Sequence, residues 1–154
     1  MRNNEKSNFL HIKNIFESIS NEYDFMNDLM TFKNHSKWKE EIVEISIDSS
    51  PKKILDIATG TGDIAIKFSR IKGSIIEAVD VSKNMLKIAH NKIEKLNIHN
   101  INFKICEAEN LVFEDNQFDI ISIGYGVRNF SNLEKGLSES FRVLKKNGKL
   151  IILE

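Results

Sequence analysis

Residues 54–68 read ILDIATGTGDIAIKF. An apolar run leads into a turn carrying Gly60 and Gly62, and a helical segment opens on Asp63. Further short apolar runs follow at IIEAV (75–79), INFKIC (101–106), FDIISI (118–123) and GKLIIL (148–153), with helical stretches between most of them. Each run is strand-length, and strands that alternate with helices build a parallel sheet through right-handed crossovers. The expected fold class is α/β.

In such sheets a ligand sits beyond the carboxyl ends of the strands, where the strand order reverses. Gly60 and Gly62 fall just after the first strand, where a side chain would obstruct the approach of a ligand to the backbone. Two ligand classes use a turn of this kind: dinucleotides and S-adenosylmethionine. Gly60-Thr61-Gly62-Asp63-Ile64-Ala65 satisfies a loose dinucleotide pattern with Ala65 as its third small residue. Asp63 separates the readings. A pyrophosphate needs the free N–H groups and positive dipole of a helix start, and a carboxylate there competes for those groups and repels phosphate. S-adenosylmethionine carries an ammonium and a sulfonium, for which an acid is an asset. Asp63 as a simple helix cap is compatible with either. The second strand ends in Asp80, about twenty residues beyond the turn, where a carboxylate can accept both hydroxyls of a ribose. That supports an adenosine-containing ligand without choosing between the two.

The chain of 154 residues is long enough to bury a sizeable core. Its 22 lysines and arginines equal its 22 acids, so no basic footprint for nucleic acid is present. Cys106 is the single cysteine and is expected as a small core residue rather than a reactive thiol. The opening MRNNEKSNF does not resemble a secretory signal, and no stretch approaches the length of a membrane span. His11, His35, His90 and His99 show no ligand spacing, so no metal is expected.

Two amphipathic helices are expected before the sheet. One carries Phe9, Ile12, Ile15, Phe16 and Ile19 on one face. The other carries Trp38, Ile42 and Ile45 and stops near Ser49-Ser50-Pro51. Within the sheet region, Ser82 is expected to cap a helix burying Met85, Leu86, Ala89, Ile93 and Leu96. Ser131 with Glu134 reads as a capping box before Leu133, Leu137, Phe141 and Leu144.

ILDIATGTGD, VDVSKNML, AENLVFEDNQFDIISIGYGVRNF and ESFRVLKKNGKLIILE together resemble the class I S-adenosylmethionine-dependent methyltransferases. YDFMNDLMTF (23–32) and GVRN (126–129) narrow the resemblance to the quinone-biosynthesis C-methyltransferases, which act on demethylmenaquinol or a ubiquinol precursor. The resemblance runs from about Ile15 to the last residue. It implies a Rossmann-like, doubly wound, mostly parallel sheet spanning residues 51–154, with residues 1–50 as a helical lid on the substrate side. It also implies that S-adenosyl-L-methionine is the methyl donor and demethylmenaquinol the acceptor, at a cytoplasmic location on the inner face of the membrane. Cofactor contacts are carried to Gly60, Thr61, Gly62, Asp63 and Asp80, to Glu107 and Ala108 flanking the adenine, and to Gly124, where family members can have a serine. Tyr23, Asp24 and Asn27 belong to the lid. Phe25, Met26, Leu29, Met30 and Phe32 would form an apolar entrance for the isoprenoid tail, or simply pack the N-terminal helices on the sheet. Arg128 is the candidate catalytic group: a permanently charged fork able to hold a quinol oxyanion, or else an ordinary ion pair.

The family's sheet continues through two further strands that this sequence lacks. GKLIIL (148–153) is therefore expected at an edge, a template for self-association. A truncated fragment, a chain completed by a partner or a second copy, and a decayed product that only binds cofactor are the three readings of that departure.

Overall fold

A computed structural model describes residues 34–154, with side chains from Lys37 onward, and outside this range Asn14 alone. Its elements run α1 (Asn34–Ile47), β1 (Lys53–Ile57), α2 (Asp63–Phe68), β2 (Ile75–Asp80), α3 (Lys83–Lys95), β3 (Ile101–Ile105) and β4 (Phe118–Gly124). A 3-10 turn (Val127–Asn129), α4 (Leu133–Val143) and β5 (Leu144–Leu153) complete the chain. The expected helix at 9–20 and the lid residues Tyr23, Asp24 and Asn27, with the apolar entrance around them, lie outside the described residues.

All five strands pair in parallel in the order β3-β2-β1-β4-β5. The order reverses between β1 and β4, which fixes where a crevice opens. Strand sequences are apolar on both faces because both faces are covered. Ile54, Ile76, Ile101 and Ile120 pack with Ile42 and Val43 of α1, Ile64, Ala65 and Phe68 of α2, and Ile93 of α3. On the other face Leu55, Ile57, Val79, Ile121 and Ile123 pack with Leu111, Phe113, Val143 and Leu144. The α/β, doubly wound expectation is met, and β5 lies at an edge of this sheet.

Several helix faces differ from the sequence reading. α1 buries Ile42, Val43 and Ser46, whereas Trp38 and Ile45 are exposed. Its orientation follows from docking on α2, where Glu40 pairs with Lys67 at 2.8 Å and also with Arg70. Ile42 and Val43 share one core with the sheet, so no gap in packing separates the segments on either side of residue 50. α3 is capped by Ser82, which accepts the Met85 N–H, and it buries Met85, Leu86, Ala89 and Ile93 as expected. Leu96, at its end, is exposed. α4 is capped by Asn132, which accepts the Lys135 N–H, one residue later than the expected Ser131. It buries Gly136, Ser140 and Val143 and leaves Leu133 and Phe141 exposed. The small residue decides the face, because a Cβ on Gly136 would stand 2.5 Å from the Phe130 ring. β5 begins at Leu144, directly after α4, and pairs with β4 through an irregular register between Phe118 and Ile120.

Candidate cofactor site at the strand-order switch

The turn after β1 folds through three left-handed residues, Ala58, Gly60 and Gly62, with φ of 56°, 57° and 84°. Gly62 needs to be glycine twice over, because a Cβ there would also approach Ala89 Cβ to 3.0 Å. At Gly60 an added Cβ meets nothing within 4 Å, so this part of the turn faces open space. Thr59 N–H donates to Val79 O (3.0 Å), Gly60 N–H to Asp80 Oδ2 (2.8 Å) and Gly62 N–H to Thr59 O (2.9 Å). The other oxygen of Asp80 accepts the Ser82 N–H at 2.9 Å, which couples the carboxylate to the start of α3.

This turn forms one wall of a cavity. Ile57–Thr61, Asp63 and Ile64 line it from the β1 side, and Asp80, Val81 and Met85 from β2 and α3. Cys106, Ala108 and Glu109 follow from the segment after β3, and Gly124–Gly126 with Asn129–Ser131 close the β4 side. Of the expected site residues, Gly60, Thr61, Asp63, Asp80, Ala108 and Gly124 meet in this wall; Gly62 and Glu107 are not in it. Glu107 is exposed, and its neighbours Cys106 and Ala108, both buried, face the cavity instead. Burial pushes the Cys106 thiol upward, and its Sγ donates to Glu107 O and Asn110 O. A Cβ at Gly124 would overlap only the δ-methyl of Ile64, the far end of a flexible side chain, so a larger residue there needs Ile64 to turn aside.

Asp63 is not the bare carboxylate that the sequence suggested. Its Oδ2 takes Lys39 Nζ of α1 at 2.8 Å and its Oδ1 takes Lys92 Nζ of α3 at 2.8 Å, while Lys92 Nζ also donates to Thr61 Oγ1 at 2.9 Å. Burial alone would raise its pKa, but the two lysine charges and their hydrogen bonds outweigh burial and hold the carboxyl below its ordinary range. It does not cap α2, whose N-cap Gly62 has no side-chain bond. The case against a diphosphate therefore rests elsewhere. Three N–H groups of the turn are already spent on protein acceptors, and the wall holds three carboxylates, Asp63, Asp80 and Glu109, against the single cation Lys39 among the described residues.

Beneath the turn lies Asp56, which the sequence reading did not single out. It is buried and accepts Ser122 Oγ and Thr59 Oγ1, both at 2.6 Å. Burial is the main cause that lifts its pKa to about 6, opposed by those two hydroxyls and by the charge of Lys39. An acid in the middle of an otherwise apolar strand was the available signal. Asn129, noted only within GVRN, and Ser131, expected only as a helix cap, also stand in the cavity wall. The Ser131 Oγ is buried with no hydrogen-bond partner among the described residues.

Arg128 stands in the ion pair that was the second of its two readings. Its guanidinium is 60% exposed, is paired through Nε with Glu154 Oε2 at 2.6 Å, and is not in the cavity wall. Glu154 Oε1 also accepts the Val127 N–H at 2.7 Å, which turns the arginine toward the end of β5. His90 and His99 are exposed, and among the described residues no group of three His, Cys, Asp or Glu side chains gathers. No helix among the described residues is long and apolar enough to cross a membrane.

Known proteins are similar to this chain over most of its length. The chain is 40% identical over 146 residues to the ubiquinone/menaquinone biosynthesis C-methyltransferase UbiE of Haemophilus ducreyi, covering 93% of this chain and 56% of that protein. It is 42% identical to the protein of that name from Photorhabdus laumondii, covering 58% of it. The chain thus spans little more than half the length of the curated relatives it matches. Among solved structures, a SAM-dependent methyltransferase from Aquifex aeolicus superposes with a TM-score of 0.63 at 26% identity, over 71% of this chain and 62% of that one. Phosphoethanolamine N-methyltransferase 2 of Haemonchus contortus, solved with S-adenosyl-L-methionine, gives 0.61 at 30% identity, over 66% of this chain and 24% of that one. With the cavity at the expected strand ends, and a family model matched over residues 2–154, the chain belongs to the ubiE/COQ5 methyltransferase family.

Proposed function

We propose that the chain takes part in S-adenosylmethionine-dependent C-methylation of demethylmenaquinol. The observation that carries this reading is one cavity lined on one side by the glycine turn and Asp80 and on the other by Asn129 and Phe130 of the GVRNF segment, in a member of this family. Asp80 is the group for a ribose, because its carboxylate stands in the cavity wall at the end of β2 and is held there by the Gly60 and Ser82 N–H groups. Cys106, Ala108 and Met85 supply apolar wall for an adenine. When bound, S-adenosylmethionine supplies an activated methyl group. The protein's task is mainly alignment and exclusion of water. Asn129, whose Nδ2 donates to Tyr125 O at 3.5 Å, presents the side-chain amide in the wall that can hydrogen-bond a quinol oxygen.

The acceptor's long isoprenoid tail implies work at the inner face of the membrane, from the cytoplasmic side. β5 is an edge strand of the described sheet, and self-association would run through it.

The test incubates the 154-residue chain with radiolabelled methyl donor and either reduced demethylmenaquinone or a demethylated ubiquinol precursor. Label in the lipid extract is expected with the first acceptor. Label with the second alone shifts the reading to ubiquinone biosynthesis. No extractable label in either case, from protein shown to be folded, overturns it.

A further inference from the structure

Lys39 reaches the cavity from α1, an element outside the strand-turn-helix unit that builds the glycine turn. Its partner Asp63 is also served by Lys92, so two ammonium groups converge on one carboxylate and the triad carries one positive charge in excess. The two lysines are not equivalent. Lys92 spends its Nζ on Asp63 and Thr61 and is not in the cavity wall, whereas Lys39 lines the wall. Of the three N–H donors of Lys39, Asp63 takes one, and the other two have no hydrogen-bond partner among the described residues. Its side chain is 16% exposed, so that charge is poorly screened by water.

The rest of the wall has the opposite sign: Asp63, Asp80 and Glu109 face the cavity with Lys39 as the one cation among the described residues. A ligand matched to this wall carries more positive than negative charge and places its one anionic group at Lys39. Resting on the reading of the cavity as an S-adenosylmethionine site, we infer that Lys39 is the specificity residue for the α-carboxylate of the cofactor's amino-acid half. Lys92 meanwhile neutralises Asp63 and leaves the second lysine to the ligand. The same lysine then decides between the intact cofactor and nucleosides that lack the carboxylate.

The experiment is calorimetric titration of the full 154-residue chain with two ligands: S-adenosylhomocysteine and its decarboxylated analogue, which differs only by the carboxylate. A charge-assisted hydrogen bond in a partly buried site predicts that the unaltered chain binds S-adenosylhomocysteine at least about tenfold more tightly. Lys39→Met should bind the two ligands within about threefold of each other, its affinity for the decarboxylated analogue unchanged, and Lys39→Arg should restore the discrimination. Equal affinities in the unaltered chain overturn the inference without any variant, so failure of Lys39→Met to fold does not protect it. A Lys39→Met protein that weakens both ligands alike also overturns it, leaving Lys39 as a latch for α1. Failure of the unaltered, folded chain to bind S-adenosylhomocysteine overturns the cofactor reading and this inference together.

Discussion

Replacing Asp56 with asparagine removes a charge that the fold holds at a cost. The carboxyl of Asp56, ordinarily near 3.8, is lifted to about 6 mainly by burial, even though Ser122 and Thr59 each donate to it at 2.6 Å. Between those two values the folded chain holds a proton that the unfolded chain has released. Stability therefore falls as pH rises through this window and levels off above it, the reverse of the usual behaviour of a carboxylate. The shift of about two units corresponds to about 3 kcal/mol at neutral pH, of which about 1 kcal/mol develops between roughly pH 5 and pH 7. Asparagine keeps the shape: one hydroxyl still donates to its carbonyl oxygen, and the other rotates to accept from its amide. Whatever that exchange costs is independent of pH. Equilibrium urea unfolding of both proteins, followed by circular dichroism across this range, should show Asp56→Asn gaining on the unaltered chain by about 1 kcal/mol as pH rises from roughly 5 to 7. A difference that stays flat, or one that grows toward acid, refutes the assignment of a strained buried charge at this position.

The two glycines of the turn should respond unequally to alanine. Gly62→Ala combines a left-handed φ with a 3.0 Å approach to Ala89 and should cost about 2 kcal/mol or more, whereas Gly60→Ala meets only the φ penalty of about 1 kcal/mol. Equal losses in urea titrations would contradict that account. Arg142 donates to Leu111 O, Phe113 O and Asp115 and pairs with Glu139, which in turn accepts the Leu111 N–H. Arg142→Ala should therefore speed amide exchange over residues 107–117 by about tenfold or more, with α1 unaffected; unchanged exchange there would refute the tether. Arg128→Gln should change S-adenosylhomocysteine affinity by less than about twofold, because its partner is an exposed Glu154 pair rather than the ligand. A tenfold loss would show that the guanidinium turns inward.

The sheet was legible because each strand is a local signal. The apolar run that opens at residue 54 lies within β1, and the other four runs each contain or overlap an observed strand. Helix faces were less so, since a stripe is chosen by what it docks against. Leu133 and Phe141 have the right spacing but lose to Gly136, whose missing Cβ lets Phe130 come close. Asp80 and the glycines were readable because strand ends and turns announce themselves by residue type. Lys39 was not readable. It acts across 24 residues on Asp63 from a helix whose expected buried face was one position away, and a lysine among many carries no mark of its neighbour.

That long-range contact changes what Asp63 means. Read in sequence, the acid selects a cation by itself. In the fold it joins three helices at one point, with Lys39 from α1, Lys92 from α3 and its own place at the start of α2. Each bond is an ordinary partly exposed ion pair that contributes about 1 kcal/mol or less alone. Yet Asp63 and Lys39 both stand in the cavity wall, so whatever occupies the cavity touches the joint. A ligand bound only by the folded chain stabilises it in proportion to the logarithm of its free concentration, and here part of that stabilisation is delivered to α1. Attachment of the N-terminal helix and occupancy of the cavity are thereby linked. Saturating S-adenosylhomocysteine should slow amide exchange in α1 as well as in the glycine turn. Protection confined to the turn would mean that the triad, though well formed, transmits nothing.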